Sequence, residues 1–452
     1  MTTDTIPIIS RELPDGTLIE AIFDPSQSAT ALAVCSPSRT PTIVPYYDAP
    51  DGTRFTAYSA TNNLLATGCV LLPSEIGELG DKGDLIEAIR EYLDRYVVLS
   101  PAFMDIAPYY VMLSWVYDAF NELPYLRFQG DYGTGKTRAL LAVGSICYKP
   151  FFASGASTVS PIFHVLDTFR GTLVLDEADF RFSEMTSELT KILNNGTTNG
   201  LPVLRTMTNR HRELNPQAFR VFGPKILAMR DGFSDRALES RFFTEQTGRR
   251  PLPPHIPIYT PTALSEEARM LRNRLLAWRL YNRASIEPVI TRRLTKNDAR
   301  LDQMGHALLS LVEAEEERAR IVAHLTGEAT RRKTEQRQTI EGRLVSTLVA
   351  GFEATTAPFV AIADIAARFN ADSLDRFHPA LSNKAIGVIV REKLGISTTK
   401  RHGIYVIEME ERDRVCELAD RYGVPHTLPT TAHAPVEETA VAADFHTSFD
   451  SG

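Results

Sequence analysis

Cysteine is scarce in this sequence, which contains only Cys35, Cys69, Cys147 and Cys416 among its 452 residues. No two of them form a CxxC pair, and this argues against a zinc ribbon and against a disulfide framework. Scattered thiols of this kind are typical of buried free cysteines in a reducing compartment.

A long apolar run is also missing. The nearest candidate, Ile106–Phe120, is interrupted by Pro108, Ser114 and Asp118 and falls short of the roughly 20 apolar residues of a membrane span. The N-terminal Met-Thr-Thr-Asp has neither the basic nor the apolar segment of a signal peptide. We therefore expect a cytoplasmic protein with no membrane partner.

Excess positive charge is absent as well. The formal net charge is −7, with 43% apolar and 23% charged residues, a balance typical of globular proteins. The chain length predicts two to four domains. Because phosphate binding responds to the local field, any nucleic-acid contact must come from local basic patches.

Short apolar runs separated by turn residues predict a small β-rich module over residues 1–75. Pro14–Thr17 and Pro50–Thr53 share the turn signal Pro-Asp-Gly-Thr, in which proline presets φ and glycine accepts a positive φ. Strands are expected at Leu18–Phe23, Ala31–Cys35, Thr42–Tyr47, Arg54–Tyr58 and Gly68–Leu72.

A helical lead-in is expected over residues 76–124. Leu85, Ile89 and Leu93 follow the spacing of an amphipathic helix, and a second, apolar helix is expected near Tyr109–Phe120.

Residues 125–260 alternate strand-like and helix-like patterns. This alternation predicts an α/β core, a parallel sheet with helices on both faces. A charged helical lid over 261–335, a small domain over 336–412 and a disordered acidic tail over 427–452 complete the predicted organisation.

The start of this core contains a phosphate-binding pattern. The β-prone run Tyr125–Gln129 is followed by GDYGTGKT, which fits G-x-x-x-x-G-K-[ST], and then by an apolar helix. Glycines allow the backbone N–H groups to face phosphates, and the helix N-terminus adds positive potential. The alternative is a glycine-rich turn without nucleotide. The predicted nucleotide-binding residues are Gly130, Asp131, Tyr132, Gly133, Thr134, Gly135, Lys136, Thr137 and Arg138.

A second pattern supplies acids. The buried-strand signal Gly171–Leu175 ends in Asp176 and Glu177. We expect Asp176 and Thr137 to ligate Mg²⁺ and Glu177 to activate the lytic water as general base, while Lys136 reaches the β- and γ-phosphates. An exposed acidic loop is the alternative.

In these motifs the sequence resembles an AAA+ ATPase. It is most similar to helicase-like AAA+ proteins of archaeal and bacterial mobile elements, which are distantly like MCM helicases. The resemblance extends from about Leu72 to about Val312. It depends on LRFQGDYGTGKTRALL, GTLVLDEADF and GPKILAMRDGFSDRALESRF. It implies ATP and Mg²⁺ as cofactors and a homo-oligomer, usually a hexameric ring, with ATP bound between subunits.

The third motif of this resemblance suggests further roles. Lys225–Met229 is the expected fourth strand, and Arg230 beside its end is a candidate sensor. Arg241, rather than Arg236, is the expected arginine finger, which neutralises charge on the γ-phosphate of a neighbouring subunit. Alternatively, both arginines form local ion pairs with Asp231, Asp235 or Glu239.

Other arginines in the lid are less distinctive. Arg300 is the candidate for the sensor-2 role that the resemblance implies, with Arg269 and Arg274 as competitors. For any one of them, a solvated charged helix is an open alternative.

Two segments are candidates for contact with DNA inside a ring. Thr198–Gly200 predicts a hairpin turn, and cations follow it at Arg205, Arg210, His211, Arg212 and Arg220. Such cations contact a phosphate backbone without reading sequence. A plain surface loop with scattered charge is the alternative for this segment. Ser154–Ser160 is the other candidate pore loop, although its composition carries no information on that role.

The C-terminal domain has the pattern of a winged helix, a helix-turn-helix variant. Helices are expected at Ile340–Phe352, Ile362–Phe369 and Asn383–Leu394, followed by a two-stranded wing over Ile396–Ile407. Protein docking is the alternative use of such a domain. The expected phosphate contacts are Lys384, Arg391, Lys393, Lys400 and Arg401.

These features together predict an ATP-dependent DNA helicase or translocase of AAA+ type that acts in replication of a mobile element or virus on single-stranded or forked DNA. An AAA+ regulator or protein-remodelling ATPase is the alternative, and a site-specific DNA-binding initiator is a third possibility.

Overall fold

The computed structural model describes residues 5–37, 39–178, 184–208, 214–233, 235–288, 299–371 and 380–429. The chain divides into two compact units, Met1–Gly327 and Glu328–Gly452. The finer division predicted from the sequence stays a prediction, and most of the acidic tail lies outside the described residues.

The first 60 residues form two small sheets. Three predicted runs contain strands close to their expected bounds, while Thr42–Tyr47 is divided into two strands. Antiparallel β2-β3-β4-β5 form one sheet and β1-β7-β6 the other. The strands are β1 (Thr5–Ile8), β2 (Ser10–Glu12), β3 (Leu18–Asp24), β4 (Ala29–Cys35), β5 (Thr42–Val44), β6 (Tyr46–Asp48) and β7 (Arg54–Ala57).

The strand predicted at Gly68–Leu72 is wrong. This segment follows the short helix α1 (Asn63–Ala66) and makes only an isolated bridge between Val70 and Phe151. Val70 is buried, so the apolar pattern reported burial rather than strand pairing.

Two helices lead into the core: α2 (Lys82–Tyr96) and α3 (Pro101–Trp115). The second begins well before the predicted Tyr109, because Ser100 caps it by accepting a hydrogen bond from the Phe103 N–H. Pro101 is tolerated in the first turn, where its missing N–H has no intrahelical partner to lose.

A five-stranded parallel sheet follows in the order β14-β8-β13-β10-β9, which confirms the predicted parallel α/β core. The chain between β10 and β13 also contains a separate two-stranded hairpin, β11–β12, in which Phe219 packs in the core. The elements are β8 (Tyr125–Gln129), α4 (Lys136–Ser145), β9 (Phe151–Ser154), α5 (Val159–Phe169), β10 (Leu173–Asp176), α6 (Glu184–Asn195), β11 (Val203–Thr208), β12 (Leu214–Phe219), β13 (Lys225–Met229), α7 (Arg236–Glu239) and β14 (Phe242–Gln246).

Helices cover both faces of this sheet. Leu173 and Leu175 share a core with residues of α5 and α6. Val174 points to the other face, since side chains alternate along a strand. There it meets Gly144 of α4 so closely that a Cβ on that glycine would lie 2.8 Å from a Val174 methyl.

The first unit continues with α8 (Thr262–Asn282), α9 (Ala299–Leu309) and the start of α10 (Glu315–Arg337), and the division between units falls within α10. Helix α8 buries Arg272 and Arg279. Such burial of a guanidinium requires partners inside the protein, and Arg272 donates to the carbonyl of Ser145 at the end of α4.

The second unit has its own core. Its elements are α11 (Ile340–Ala354), β15 (Phe359–Ala361), α12 (Ile362–Ala371), α13 (Asn383–Val388) with a π-helical turn at Ile389–Lys393, β16 (Thr399–Arg401), β17 (Ile404–Glu408) and α14 (Arg412–Tyr422). Antiparallel β15-β17-β16 make a small sheet. Val415 and Leu418 of α14 belong to this core, although they lie beyond the predicted domain end at residue 412.

Among the described residues, every helix is too short or too polar to serve as a membrane span.

Candidate nucleotide site

The predicted phosphate loop connects the end of β8 to the start of α4. Gly133 and Gly135 have φ values of 70° and 87°, in the left-handed region that glycine enters at little cost. A Cβ on either glycine would meet no heavy atom within 4 Å. Backbone direction, rather than crowding, is therefore what requires glycine at these two positions.

A neighbouring loop braces this segment. A Cβ on Gly130 would lie 2.4 Å from the hydroxyl oxygen of Thr247, which follows β14. That hydroxyl donates to the Gln129 carbonyl at 3.1 Å and lies 2.8 Å from the Thr134 hydroxyl. The sequence motifs did not point to Thr247 as a residue of this site. The signal that could have found it is a Thr-Gly pair directly after a strand.

The Lys136 side chain lies over the loop. Its ammonium donates to the Asp131 carbonyl at 2.6 Å. Among the described residues no carboxylate forms an ion pair with it, so its charge is available to an anion. Thr137 is exposed in the first turn of α4, whose N-terminus favours negative charge.

The predicted acids lie at the same edge of the sheet. Asp176 is the last residue of β10 and accepts a hydrogen bond from the Glu177 N–H at 2.9 Å. Glu177 is exposed, with φ at 53°, a conformation that strains a residue with a side chain. The carbonyl of Glu177 passes so near Gly155 that a Cβ there would lie at 2.7 Å.

The register sets the separation of the two motifs. Leu175 pairs with Leu227, and Leu227 pairs with Arg127, so β13 is the single strand between β10 and β8. Two strand spacings amount to about 10 Å. Since parallel strands end at a common edge, Asp176 faces the phosphate loop across a gap that a phosphate chain and a hydrated cation can span.

These residues fit Mg²⁺. The Thr137 hydroxyl and the Asp176 carboxylate are oxygen donors, which Mg²⁺ prefers. The described residues include no cluster of three or more His, Cys, Asp or Glu side chains able to bind a metal.

Two arginines near the loop are positioned by the fold. Arg138 donates to the carbonyls of Pro257 and Ile258 and so fastens the segment before α8 to α4. Arg230 lies over the exposed ring of Tyr132, with 3.5 Å from its guanidinium carbon to the ring centre. The candidate sensor is thus beside the loop, whereas Met229 is buried.

Arg241 lies at the opposite edge of the central sheet from the phosphate loop, where the strands begin. It precedes β14, and its carbonyl accepts a hydrogen bond from the Tyr125 N–H at the start of β8. Its guanidinium donates to the carbonyls of Leu193 and Asn194 at the end of α6, while its Nε is buried without a partner in the described structure. Burial, followed by the nearby charge of Arg300, lowers the pKa of Arg241.

The ion pair considered between Arg241 and Glu239 does not form. Glu239 instead accepts two hydrogen bonds from the buried Arg127 of β8, one of them at 2.7 Å. Asp235 contributes only an electrostatic attraction to Arg241.

The lid candidates have other partners. Arg269 donates to the Ser74 hydroxyl at 2.9 Å, and Arg274 lies against the backbone of Gly77 and Gly80. Arg300, close to Arg241, is on the side away from its own phosphate loop.

The hairpin prediction needs one correction. Thr198–Gly200 is a turn before β11, not the turn of the hairpin, which joins Thr208 to Leu214. The hairpin turn, with Arg210, His211 and Arg212, lies outside the described residues. Arg205 pairs with Glu188 at 3.0 Å, and Arg220 is exposed 3.5 Å from Asp167.

In the second unit, all five predicted phosphate contacts are exposed: Lys384, Arg391, Lys393, Lys400 and Arg401. Arg401 also pairs with Glu408 at 2.8 Å.

No family model and no curated protein matches the sequence. Among solved structures, the NrS-1 C-terminal region (305–718) shows 10% identity and a TM-score of 0.40 over 86% of this chain and 96% of that one. The active helicase Cch of SCCmec type IV shows 9% identity and a TM-score of 0.36 over 91% of this chain and 95% of that one. The Aeropyrum pernix Orc1 protein in complex with DNA shows 13% identity and a TM-score of 0.21 over 74% of this chain and 96% of that one.

Proposed function

We propose that this protein is an AAA+-type P-loop ATPase that uses ATP hydrolysis to translocate along and unwind DNA in replication of a mobile element or virus. One observation carries the ATPase proposal. A glycine-dependent loop at the end of β8 and two acids at the end of β10 share one edge of a parallel sheet, about 10 Å apart.

Each residue has a separate role in this proposal. Backbone N–H groups of 130–138 bind the triphosphate, and Lys136 contacts its β- and γ-phosphates. Thr137 and Asp176 bind Mg²⁺, which neutralises charge on the phosphates when present. Glu177 accepts a proton from the water that attacks the γ-phosphate.

The position of Arg241 supports action between subunits. The strand β8 separates it from its own phosphate loop, and the five residues of that strand span about 13 Å. Arg241 therefore requires a neighbouring copy of the chain to reach a γ-phosphate. Arg300, close beside it, is a second cation on the same side. We propose a homo-oligomer, a hexameric ring, with Arg241 as its finger.

The hairpin supports contact with DNA. Its strand β12 is almost wholly exposed, and Leu204 and Leu214 are 72% and 76% exposed, so the hairpin offers a surface that a strand of DNA can approach. In the second unit, five exposed cations around a small hairpin suit a winged helix that contacts phosphates without reading bases.

An AAA+ regulator or protein-remodelling ATPase is the second candidate. Its support is the neutralised Arg401 together with the net charge of −7, because both reduce attraction to DNA. Under this alternative the winged helix docks a protein.

The deciding experiment measures ATP turnover of the wild type and of Lys136→Ala, with and without single-stranded and forked DNA. The helicase proposal expects DNA to stimulate hydrolysis and the substitution to abolish it. Turnover that DNA leaves unchanged favours the protein-remodelling candidate. Turnover that survives in Lys136→Ala contradicts the phosphate-loop assignment itself.

A further inference from the structure

A polar cleft lies at the amino edge of the central sheet, on the side away from the phosphate loop. It is a cavity of about 730 Å³ bounded by β2, by the end of α5 and by the end of α8. The arginines that line it are Arg11, Arg170, Arg220, Arg279 and Arg283.

The back of this cleft is already neutralised. Arg279 and Arg283 both bind Asp118 at 2.7 Å, and Arg283 also lies 3.7 Å from Glu12. Arg279 further pairs with the buried Glu20. These charges balance one another and form a structural wall.

The front of the cleft is different. Arg11 and Arg170 are both exposed, and among the described residues neither forms an ion pair with a carboxylate. Arg11 lies over the ring of Phe55 at 5.0 Å, and its charge helps to lower the pKa of Asp51. The Arg220 side chain is 64% exposed and lies 3.5 Å from Asp167, which also accepts a hydrogen bond from the Arg220 backbone N–H at 3.1 Å.

The backbone at Arg170 is unusual. Its φ and ψ are 50° and 44°, a left-handed conformation that glycine or asparagine adopts at lower cost than arginine. The next residue is a glycine that lies so close to Lys149 that it has no room for a Cβ. A long cation at a position that favours small residues is the kind of outlier from which a functional role is inferred.

Aromatic rings border the cations. Tyr58 is half-exposed and stacks on Phe169, with ring centres 5.9 Å apart and planes inclined by 29°. Such a ring offers a nucleobase a face on which to stack. Both Tyr58 and Phe169 line the cleft.

A second cavity lies beside the cleft. It has a volume of about 260 Å³, is lined by Arg170, Arg220 and Tyr117, which also line the cleft, and reaches Gly200 and Pro202, just before β11. The two adjacent cavities place Arg170 and Arg220 between the cleft and the base of the hairpin. Such an extended arrangement suits a chain better than a compact ligand.

We infer that this cleft binds a short stretch of single-stranded nucleic acid, with Arg11 and Arg170 on its phosphates and Tyr58 stacked on a base. The choice of a strand rests on the proposed function. The strand is contacted without base-specific hydrogen bonds, since guanidinium–phosphate contacts and stacking tolerate any sequence.

The test uses the full chain and fluorescently labelled dT20 in an anisotropy titration at several salt concentrations. Asparagine tolerates the left-handed backbone, so the double variant Arg11→Gln/Arg170→Asn removes two cations with little backbone strain. Its affinity is expected to fall about tenfold or more, and the slope of log affinity against log salt to decrease by about 1 to 2. The matched control Arg95→Asn removes an exposed arginine outside the cleft.

Affinity of the double variant within twofold of the wild type and of Arg95→Asn overturns the cleft proposal while leaving the ATPase proposal intact. A wild-type chain that binds no dT20 overturns the cleft and the DNA part of the proposed function together. DNA-independent ATP turnover, measured in parallel, reports whether each variant is folded.

A second measurement does not depend on the arginine variants. In Tyr58→Trp, dT20 is expected to quench the new tryptophan fluorescence by stacking, whereas dTMP and inorganic phosphate at the same phosphate concentration leave it unchanged. Absence of quenching by dT20, or equal quenching by dTMP, contradicts a site for a strand.

Discussion

Arg279 and Glu20 are 259 residues apart in the chain, yet the Arg279 Nε donates to a Glu20 carboxylate oxygen at 2.8 Å. Both side chains are only 1% exposed. The Tyr148 hydroxyl, 2.9 Å from both carboxylate oxygens of Glu20, donates its single hydrogen to that carboxylate, and Lys149 pairs with Glu20 at 2.7 Å. This buried network connects strand β3 of the N-terminal sheets to the α/β core and to α8.

Removal of one partner from that network is expected to destabilise the first unit strongly. Arg279→Met leaves Glu20 and Asp118 short of a counter-charge in a buried place, which costs about 3–5 kcal/mol of unfolding free energy. Chemical denaturation measures the change. The control Arg95→Ala breaks an exposed pair with Glu267, which is worth about 1 kcal/mol or less. Equal losses in the two variants would contradict the role of the network.

Asp118 makes stability depend on acid pH. Burial alone would raise its pKa, but the charges of Arg279 and Arg283 outweigh burial and lower the pKa from 3.8 to about 2. Because the folded pKa is below the unfolded one, this contribution is complete above about pH 4 and is lost as pH falls toward 2.

The measurement for Asp118 is the urea midpoint of the wild type and of Asp118→Asn between pH 7 and pH 2.5. We expect the gap between the two proteins to be constant above about pH 4 and to narrow below it. A gap that stays constant to the lowest pH would show that Asp118 is not the titrating group.

The two acids at the end of β10 are expected to act at different steps, Asp176 in nucleotide binding and Glu177 in turnover. Glu177→Gln keeps the shape of the side chain and removes the base, so hydrolysis should fall by about 10²–10⁴ while binding of a fluorescent ATP analogue persists. Asp176→Asn should weaken binding of the Mg²⁺ complex itself. Loss of binding in Glu177→Gln with normal turnover in Asp176→Asn would reverse the assignment.

The arginine finger proposal predicts complementation between inactive variants. Arg241→Ala is expected to bind ATP but to lose about 10³ or more in turnover, and Lys136→Ala to lose turnover through its own phosphate loop. Mixed oligomers contain interfaces with an intact loop from one chain and an intact Arg241 from the other, so turnover should partly return.

Because Arg241 also contacts the end of α6, a thermal melt must accompany the mixing experiment. Arg241→Lys provides a control that keeps the positive charge. Full activity of Arg241→Ala, or a mixture no more active than its parts, would remove the finger assignment.

Thr247 is expected to affect the affinity for nucleotide but not the rate of the hydrolysis step. Thr247→Val keeps the shape and removes the hydrogen bonds that brace Gln129 and Thr134, each worth about 1 kcal/mol. The dissociation constant for ATP should rise about tenfold, with the turnover number at saturation nearly unchanged. Ser240→Ala, which removes a local hydroxyl contact on α7, is the control and should behave as wild type.

The local sequence determined the phosphate loop. Gly133 and Gly135 occupy left-handed positions that few other residues accept. This requirement for glycine is local, so it can be read from the sequence without knowing where the loop lies in the fold. The same is true of β10, whose apolar run ends in Asp176 because the sheet ends there. The alternation of strand-like and helix-like segments over residues 125–260 likewise predicted the parallel core.

Only the tertiary structure decided which distant groups meet. Strand order and helix packing bring together Glu20 and Arg279, Thr247 and Gln129, and Arg241 and the end of α6. A short window of sequence contains no information about either. The error at Gly68–Leu72 has the same cause. An apolar run reports that a segment is buried, but whether it pairs as a strand depends on the neighbour that the fold brings beside it.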